Sequence, residues 1–186
     1  MKKWLLSTII LISTSLVALS GCVSSTQTTE KSLVAYFSYS GTTQTFANDI
    51  AKLTLSDIYR IEAEVPYTQE DLNVKNKNSR AYLEQNNADA RPAIANPLPN
   101  LDKYQVIYLG YPIWLGKAPK VVYSFVEKYN LKGKTVIPFC TSHMTGMGDS
   151  AEFLKALVPE AIWKTGQGFT ADDDEIKVKT FLDKVN

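Results

Sequence analysis

A short loop at residues 38–43 concentrates side chains that could bind an anion. It carries four hydroxyl groups and one glycine directly before a predicted helix: Ser38, Ser40, Gly41, Thr42 and Thr43. The free N–H groups and the dipole at a helix N-terminus favour a negative charge, and hydroxyls add donors without adding charge. Because the loop has no Lys or Arg, a monoester phosphate fits it better than a nucleoside triphosphate. The alternative is an ordinary Ser/Thr-rich turn that caps the helix.

Two further loops could contact a flat ligand. Residues 110–116 read GYPIWLG and carry more apolar surface than a turn needs, and the indole of Trp114 could stack on an aromatic ring. Residues 141–149 read TSHMTGMGD, in which Gly146 and Gly148 allow the backbone to approach a ligand closely. The alternative for residues 110–116 is that the indole of Trp114 packs beneath its own loop. The alternative for residues 141–149 is that they simply connect a strand to a helix. The chain contains neither a Walker motif nor a G-x-G-x-x-G motif.

Each of the three loops follows a predicted buried strand. Apolar runs predict strands at residues 33–37, 57–63, 105–109 and 134–139, and a fifth from residue 160 to about residue 169. Helical spacing predicts helices from Thr43, from Pro119 and after Asp174, and a short helix near residues 79–85 within a polar segment. Another helix is predicted to start at Asp149, with Glu152 completing a capping box.

The alternation of strands and helices predicts an α/β fold. Strands that are apolar throughout, rather than on alternate residues, indicate a doubly wound, five-stranded parallel sheet covered on both faces. In such sheets ligands bind at the carboxyl ends of the strands. Because the three loops follow the ends of the first, third and fourth predicted strands of one parallel sheet, they are expected to converge on one site.

Composition excludes several classes of protein. The chain has 186 residues, 45% of them hydrophobic, with a formal net charge of +1. These values are typical of a globular protein and give no reason to expect nucleic acid as a partner. With one histidine and two cysteines, a zinc site of Cys/His type and a disulfide framework are both excluded, and no metal site is predicted.

Residues 1–22 read as a lipoprotein signal peptide. Lys2 and Lys3 precede an interrupted apolar run, and the sequence LSGC ends at Cys22, the expected site of lipidation. An ordinary signal peptide with a chance cysteine is the alternative. Residues 23–31 are rich in Ser and Thr and are expected to form a flexible tether, which leaves residues 32–186 as the domain. The protein is thus expected outside the cytoplasm, anchored to a membrane through Cys22.

The chain resembles the flavodoxin-like family, in its bacterial flavodoxin branch. The resemblance rests on YFSYSGTT at residues 36–43, VIYLGYPIW at residues 106–114 and TVIPFCTS at residues 135–142. It implies strand order 2-1-3-4-5 and flavin mononucleotide (FMN) as a non-covalent cofactor. It also implies three sets of cofactor contacts, which are Ser38, Ser40, Gly41, Thr42 and Thr43 at the phosphate, Pro112, Ile113, Trp114 and Gly116 beside the ring, and Thr141, Ser142, His143, Gly146 and Gly148 at its other side.

The resemblance implies electron transfer or the reduction of a small acceptor, with the chemistry supplied by the flavin. No pyridine-nucleotide site is apparent, so an electron carrier and an enzyme both stay open, and the redox donor and acceptor are unknown. A second hypothesis is a binding module that has lost FMN, because His143-Met144 stands where the branch has smaller residues. A hydrolase using Ser40 and His143 is disfavoured, since the G-x-S-x-G motif is absent.

Overall fold

The structure is a computed structural model that describes residues 31–98, 100–143 and 146–185. The predicted signal peptide, Cys22 and residues 23–30 of the predicted tether lie outside these ranges. Within them, no helix is both long enough and apolar enough to cross a membrane.

All the strands belong to one parallel sheet. The strands are β1 Ser32–Tyr36, β2 Asp57–Arg60, β3 Val106–Pro112, β4 Thr135–Thr141, β5 Ile162–Trp163 and β6 Gln167–Phe169. Their order is β2-β1-β3-β4-β5, as expected, and β6 also pairs with β4. Two short strands therefore occupy the place of the single fifth strand that the sequence predicts.

Pro138 accounts for the break between β5 and β6. The carbonyls of Lys134 and Val136 accept hydrogen bonds from Ile162 and Lys164 in the last strand, at 2.9 Å each. The alternation along β4 therefore turns the nitrogen of Pro138 toward the same neighbour, and that nitrogen has no hydrogen to donate. Pairing resumes at Phe139, where β6 begins.

Helices cover both faces of the sheet. They are α1 Thr42–Thr54, α2 Arg80–Asn86, α3 Lys120–Lys128, α4 Ser150–Leu157 and α5 Glu175–Val185. On one face α1 and α5 bury Phe46 and Phe181 against Tyr108, and on the other α3 and α4 bury Phe125 and Leu154 against the opposite side of β3. This two-sided burial explains why the strands are apolar at almost every position.

The predicted capping box of α4 is wrong, although the helix starts where expected. Asp149 precedes the first helical residue but makes no side-chain capping bond, because its φ of −87° and ψ of 9° are not the extended conformation of a capping residue. At α5 the acidic start is confirmed, since Asp174 Oδ1 accepts hydrogen bonds from the N–H groups of Ile176 and Lys177 at 3.1 and 3.2 Å.

The long polar segment between β2 and β3 contains α2, where the sequence predicts a short helix, and two 3₁₀ turns. The segment is held to the domain at the loop after β3, because Gln85 Nε2 donates to the carbonyls of Ala118 at 2.9 Å and Trp114 at 3.2 Å. Its first part pairs with its last part through a bridge between Ala63 and Ile94. This segment therefore forms one wall beside the carboxyl ends of β1 and β3.

Candidate functional site

The loop after β1 is shaped by Gly41. Its φ of +94° lies in the left-handed region, which glycine adopts without steric cost, and it precedes the first residue of α1. The N–H of Gly41 donates to Ser38 Oγ at 3.1 Å, and the hydroxyls of Ser40 and Thr42 lie 3.2 Å apart. In the described chain, the N–H groups of Thr42, Thr43 and Gln44 have no hydrogen-bond acceptor. They form the donor end of a helix, which favours an anion.

Thr43 has a different role from its neighbours. Its hydroxyl lies 2.8 Å from that of Thr141, and both residues are buried. Of the two hydroxyls only one can donate in this contact, so the proton of the other stays available. The pair connects the start of α1 with the end of β4 across the end of β3.

Arg60 supplies a positive charge that the loop sequence lacks. Its Nη2 donates to the carbonyl of Ser38 at 3.3 Å, which brings a guanidinium to the back of the hydroxyl loop. Arg60 ends β2. Because β2 pairs with β1 in parallel, both strands end at the same edge of the sheet. In the sequence Arg60 lies inside the strand predicted at residues 57–63, and nothing there marks it as a site residue, because its contact with Ser38 depends on where that strand ends and on which strand neighbours β1.

The loop after β3 contains a tight hairpin. The backbones of Trp114 and Lys117 exchange two hydrogen bonds, of 2.9 and 3.1 Å. Between them Leu115 and Gly116 both have positive φ, 50° and 79°. This is the geometry of a type I′ turn, which glycine favours at its central positions. Gly116 therefore shapes the turn that presents Trp114.

Trp114 is half-buried within a cluster of three rings, its partners being Phe37 and Tyr67. The centroid of the Trp114 ring lies 5.4 Å from that of Phe37 and 5.0 Å from that of Tyr67, and the Phe37 and Tyr67 centroids lie 5.7 Å apart. All three contacts are edge to face. Such contacts hold an indole in one orientation. The contribution of Phe37 was not predicted, because it lies inside an apolar run that reads only as a strand.

Tyr67 is itself fixed by α2. Its hydroxyl donates to Glu84 Oε2 at 2.6 Å, and the Arg80 guanidinium stacks 3.9 Å from its ring centre. Burial, together with the adjacent carboxylate, raises the pKa of the Tyr67 phenol far above its ordinary value, so the ring stays neutral. The polar segment thereby supports the indole from behind.

The loop after β4 relies on two glycines in the left-handed region, Gly146 at φ 58° and Gly148 at φ 48°. A Cβ on Gly168 of β6 would lie 3.2 Å from the Cα of Gly146, so the loop rests closely on that strand. The N–H of Ser142 donates to the carbonyl of Phe169 at 2.9 Å. His143 is exposed at the rim. This loop is therefore fixed at its start and open to solvent at His143.

The three loops border a crevice of about 220 Å³. The predicted site residues that line it are Ser40, Thr42, Pro112, Ile113, Trp114, Thr141, Ser142 and His143, and Tyr39, Leu72 and Ala171 complete the wall. The other predicted residues, which are Ser38, Gly41, Thr43, Gly116, Gly146 and Gly148, do not line it. The crevice is thus polar along the hydroxyl loop and apolar along the hairpin.

Three other cavities among the described residues are larger, and the smallest of these, of about 290 Å³, lies against the polar segment beside Arg80 and Arg91. Another, of about 450 Å³, lies on the β2 side of the ring cluster and is lined by Ser38, Arg60 and Tyr67 among others. The largest, of about 540 Å³, lies between α1 and α5 at the opposite edge of the sheet, where Ser32 and Val106 begin their strands. Volume alone does not identify the site, since the 540 Å³ cavity is remote from every loop that carries candidate donors.

Cys140 lies below the crevice as an inert thiol. Its side chain is fully buried, and burial raises the pKa of the thiol to about 12. Nearby, the hydroxyls of Tyr111 and Ser150 lie 3.1 Å apart in the core. Ser40, which the hydrolase alternative would use as a nucleophile, pairs with Thr42.

Comparison with known proteins agrees with this architecture. The sequence profile of the flavodoxin family matches residues 31–185. A presumed flavoprotein from Bacteroides eggerthii DSM 20697 is 41% identical with a TM-score of 0.79, covering 83% of this chain and 97% of that one. Another from Bacteroides uniformis ATCC 8492 is 34% identical with a TM-score of 0.80, covering 83% and 98%.

More distant structures share the fold. A flavoprotein from Lactobacillus acidophilus NCFM, solved in complex with FMN, is 18% identical with a TM-score of 0.59, covering 82% of this chain and 99% of that one. No curated protein sequence matches the chain significantly. The profile match spans the whole described domain, and the sheet order and the site loops agree with it. The chain belongs to the flavodoxin family.

Proposed function

We propose that the crevice binds FMN non-covalently, with the phosphate at the hydroxyl loop and the flavin ring beside Trp114. The observation that supports this most is the polarity of the crevice, with neutral donors of Ser40 and Thr42 at one end and Pro112, Ile113 and Trp114 at the other. A phosphate monoester and a flat aromatic ring require this combination. The FMN bound to the Lactobacillus acidophilus protein is consistent with the proposal.

The donor set fits a phosphate. The N–H groups of Thr42, Thr43 and Gln44 point from the start of α1, and the hydroxyls of Ser40 and Thr42 lie beside them. Arg60 adds positive charge from behind through its contact with Ser38. Charged acceptors form stronger hydrogen bonds than neutral ones, so neutral donors suit a phosphate. The charge of Arg60 is shared with Glu62, whose Oε1 lies 3.9 Å from Arg60 Nε.

The apolar half fits a ring. Phe37 and Tyr67 prevent the indole of Trp114 from rotating, and Gln85 holds the carbonyl of Trp114 at 3.2 Å. The crevice of about 220 Å³ is smaller than the roughly 300–1,000 Å³ of sites that enclose a drug-sized ligand. One edge of the ligand therefore stays exposed, which a carrier needs for exchange with a partner.

When bound, FMN supplies electron transfer through its ring. The protein residues bind and orient it: the hydroxyl loop holds the phosphate, and Trp114 limits the approach of water to one face. We propose a role in electron transfer or in the reduction of a small acceptor. The protein acts outside the cytoplasm, held at the membrane by lipid on Cys22.

A titration with FMN tests the proposal. FMN is added to the purified lipidated protein in detergent while the visible flavin spectrum and the protein fluorescence are recorded. From Cys22 onward the chain contains two tryptophans, Trp114 and Trp163. FMN should quench the fluorescence of Trp163→Phe more strongly than that of Trp114→Phe, because Trp114 lines the crevice and Trp163 does not. A titration without spectral change would instead favour a binding module.

A turnover assay then distinguishes the two proposed roles, an electron carrier and an enzyme. An enzyme would oxidise a nicotinamide donor and reduce a quinone without another protein, whereas a carrier would not.

A further inference from the structure

The lining of the crevice is almost free of ionisable groups. Among the described residues that border it there is no Asp, Glu, Lys or Arg, and the titratable side chains are the phenol of Tyr39 and the imidazole of His143. Histidine is the side chain whose charge ordinarily changes between about pH 5 and 8. We propose that His143 takes up a proton when a flavin bound in the crevice is reduced, and so couples the redox potential of that flavin to pH. This inference rests on the proposed flavin site.

The backbone brings His143 next to the hairpin that carries Trp114. The N–H of Ile113 donates to the carbonyl of Thr141 at 2.9 Å, which joins the start of the hairpin to the end of β4. His143 follows Thr141 by two residues and lines the crevice together with Trp114. The hydroxyl loop follows β1, which β3 separates from β4 in the sheet. The loop that carries His143 therefore neighbours the proposed ring end of the crevice.

The chain that leads to His143 is held on two sides, whereas the imidazole is open to solvent. The hydroxyl of Thr141 lies 2.8 Å from that of Thr43, and the N–H of Ser142 donates to the carbonyl of Phe169 at 2.9 Å. The side chain of His143 is exposed at the rim of the crevice. It can therefore exchange a proton with water while it borders the ligand.

Fixed charges lie on the elements around the crevice but do not line it. They are Arg60, Asp71, Lys117, Asp149, Asp172 and Asp173. Asp173 is paired with Lys177 at 2.6 Å, and Asp174 accepts hydrogen bonds from the first N–H groups of α5. These charges are the same whether a flavin is oxidised or reduced, so they cannot compensate a charge that appears on reduction.

Asp172 is the fixed charge that the sheet register brings beside His143. Thr141 pairs with Phe169 in parallel, so the chain after β6 runs alongside the chain after β4. Two residues further on, both His143 and Ala171 line the crevice, and Asp172 comes directly after Ala171. Its carboxylate favours a protonated imidazole in both redox states.

The proposed step places one proton on the ring and one on the imidazole. Two electrons from an external reductant and one proton from water leave the flavin ring with one negative charge. The neutral imidazole of His143 takes a second proton from water, so the crevice gains no net charge. A unit charge at a protein surface raises the proton affinity of a neighbouring imidazole by about threefold or more. By linkage, the protonated imidazole favours reduction by the same factor.

NMR measures the proton uptake directly, because His143 is the only histidine of the chain. The lipidated protein, purified in detergent without a histidine tag and loaded with FMN, is titrated in its oxidised form and after photochemical reduction with a deazaflavin and EDTA. We expect the His143 ring signal of the reduced protein to titrate at a pH about 0.5 unit or more higher, which is about threefold in proton affinity. Equal titration midpoints in the two redox states would overturn the proposal.

Asp172→Asn separates the redox coupling from the constant effect of the neighbouring carboxylate. Loss of this charge should lower the titration midpoint of His143 in both redox states and leave the difference between the states in place. If the difference disappears in Asp172→Asn, the coupling runs through the carboxylate, and the direct role of His143 is overturned.

The redox potential gives a second readout. One proton taken up with two electrons changes the equilibrium constant tenfold per pH unit, which is about 30 mV, and a second proton brings the slope toward about 59 mV. Near neutral pH we expect the potential of the native protein to fall more steeply with pH than that of His143→Gln. Equal slopes would overturn the proposal.

The inference and the proposed flavin site fail in different ways. FMN that binds without any change in the titration of His143 on reduction would overturn the inference and leave the flavin site standing. A chain that does not bind FMN would overturn both.

Discussion

The hydroxyls of Thr43 and Thr141 lie 2.8 Å apart in the interior below the crevice. Thr43 lies in the first turn of α1, directly after the loop that follows β1, whereas Thr141 ends β4, and β3 separates β1 from β4 in the sheet. The contact therefore passes over the end of β3 and joins the hydroxyl loop to the loop after β4. One buried hydrogen bond thus connects two of the three loops that border the crevice.

Replacing Thr43 by Val should loosen this connection. The change keeps the shape but leaves the Thr141 hydroxyl buried without its partner, which costs about 1–3 kcal/mol in the free energy of unfolding. Thr43→Ser should retain most of the stability, and Thr45→Val, in the first turn of α1 but pairing only weakly with Gly41 O at 3.4 Å, should change it by less than about 0.5 kcal/mol. Urea unfolding measures all three. Equal stabilities of the Thr43→Val and Thr43→Ser variants would show that the contact contributes nothing.

Thr42→Ala tests the phosphate end separately from the ring end. Loss of one hydrogen bond to a charged group costs about 1.5–3 kcal/mol, which corresponds to roughly 10- to 150-fold weaker FMN binding. Riboflavin has no phosphate, so its affinity should not change. Isothermal titration with both ligands makes the comparison, and Thr45→Ala is the control. A parallel loss for riboflavin would place the effect on the fold of the loop and not on the phosphate.

Gly110 is required by packing and not by its backbone conformation. A Cβ at this position would overlap the ring of Phe139 on β4. Gly110→Ala should therefore destabilise the protein by about 1–3 kcal/mol, as overpacking of a core does. Combination with Phe139→Leu should recover part of the loss. Thermal unfolding of the single and double variants measures the loss of stability. If the double variant recovers none of it, the loss has a cause other than overlap with the Phe139 ring.

The pair Arg91–Glu127 should contribute a pH-dependent stability. Arg91 Nε and Nη2 donate to the two carboxylate oxygens at 2.6 and 2.8 Å, and this bidentate contact lowers the pKa of Glu127. The stabilisation is complete above the unfolded pKa, about 4.3, and is lost as the pH falls through the lower folded pKa. Both groups are partly exposed, so the contribution is at most about 1 kcal/mol. Glu127→Gln should be less stable than the native protein at pH 6 and equally stable at pH 2; a difference unchanged with pH would exclude the linkage.

Much of the fold follows from local patterns in the sequence. The apolar runs predict the strands, and the α/β alternation predicts a parallel sheet with covered faces. The split of the last strand was not predicted, although Pro138 carried the signal. Its effect depends on which side of β4 its nitrogen faces, and this is a property of register that a single strand does not reveal.

The site is predictable in its loops but less so in its supporting residues. Hydroxyls, glycines and Trp114 can be recognised because each lies beside a predicted strand end. Arg60, Phe37 and Gln85 could not be assigned in the same way, since their contacts depend on strand order and on the path of the polar segment. Thr43 was expected to contact the phosphate through its loop, whereas its hydroxyl contacts Thr141.

The crystal structure of the protein soaked with FMN tests the central claim most directly. The phosphate is predicted beside the N–H groups of Thr42 and Thr43, and the ring is predicted against Trp114. FMN bound instead in the 540 Å³ cavity between α1 and α5, with the crevice filled by the protein's own side chains, would contradict the account.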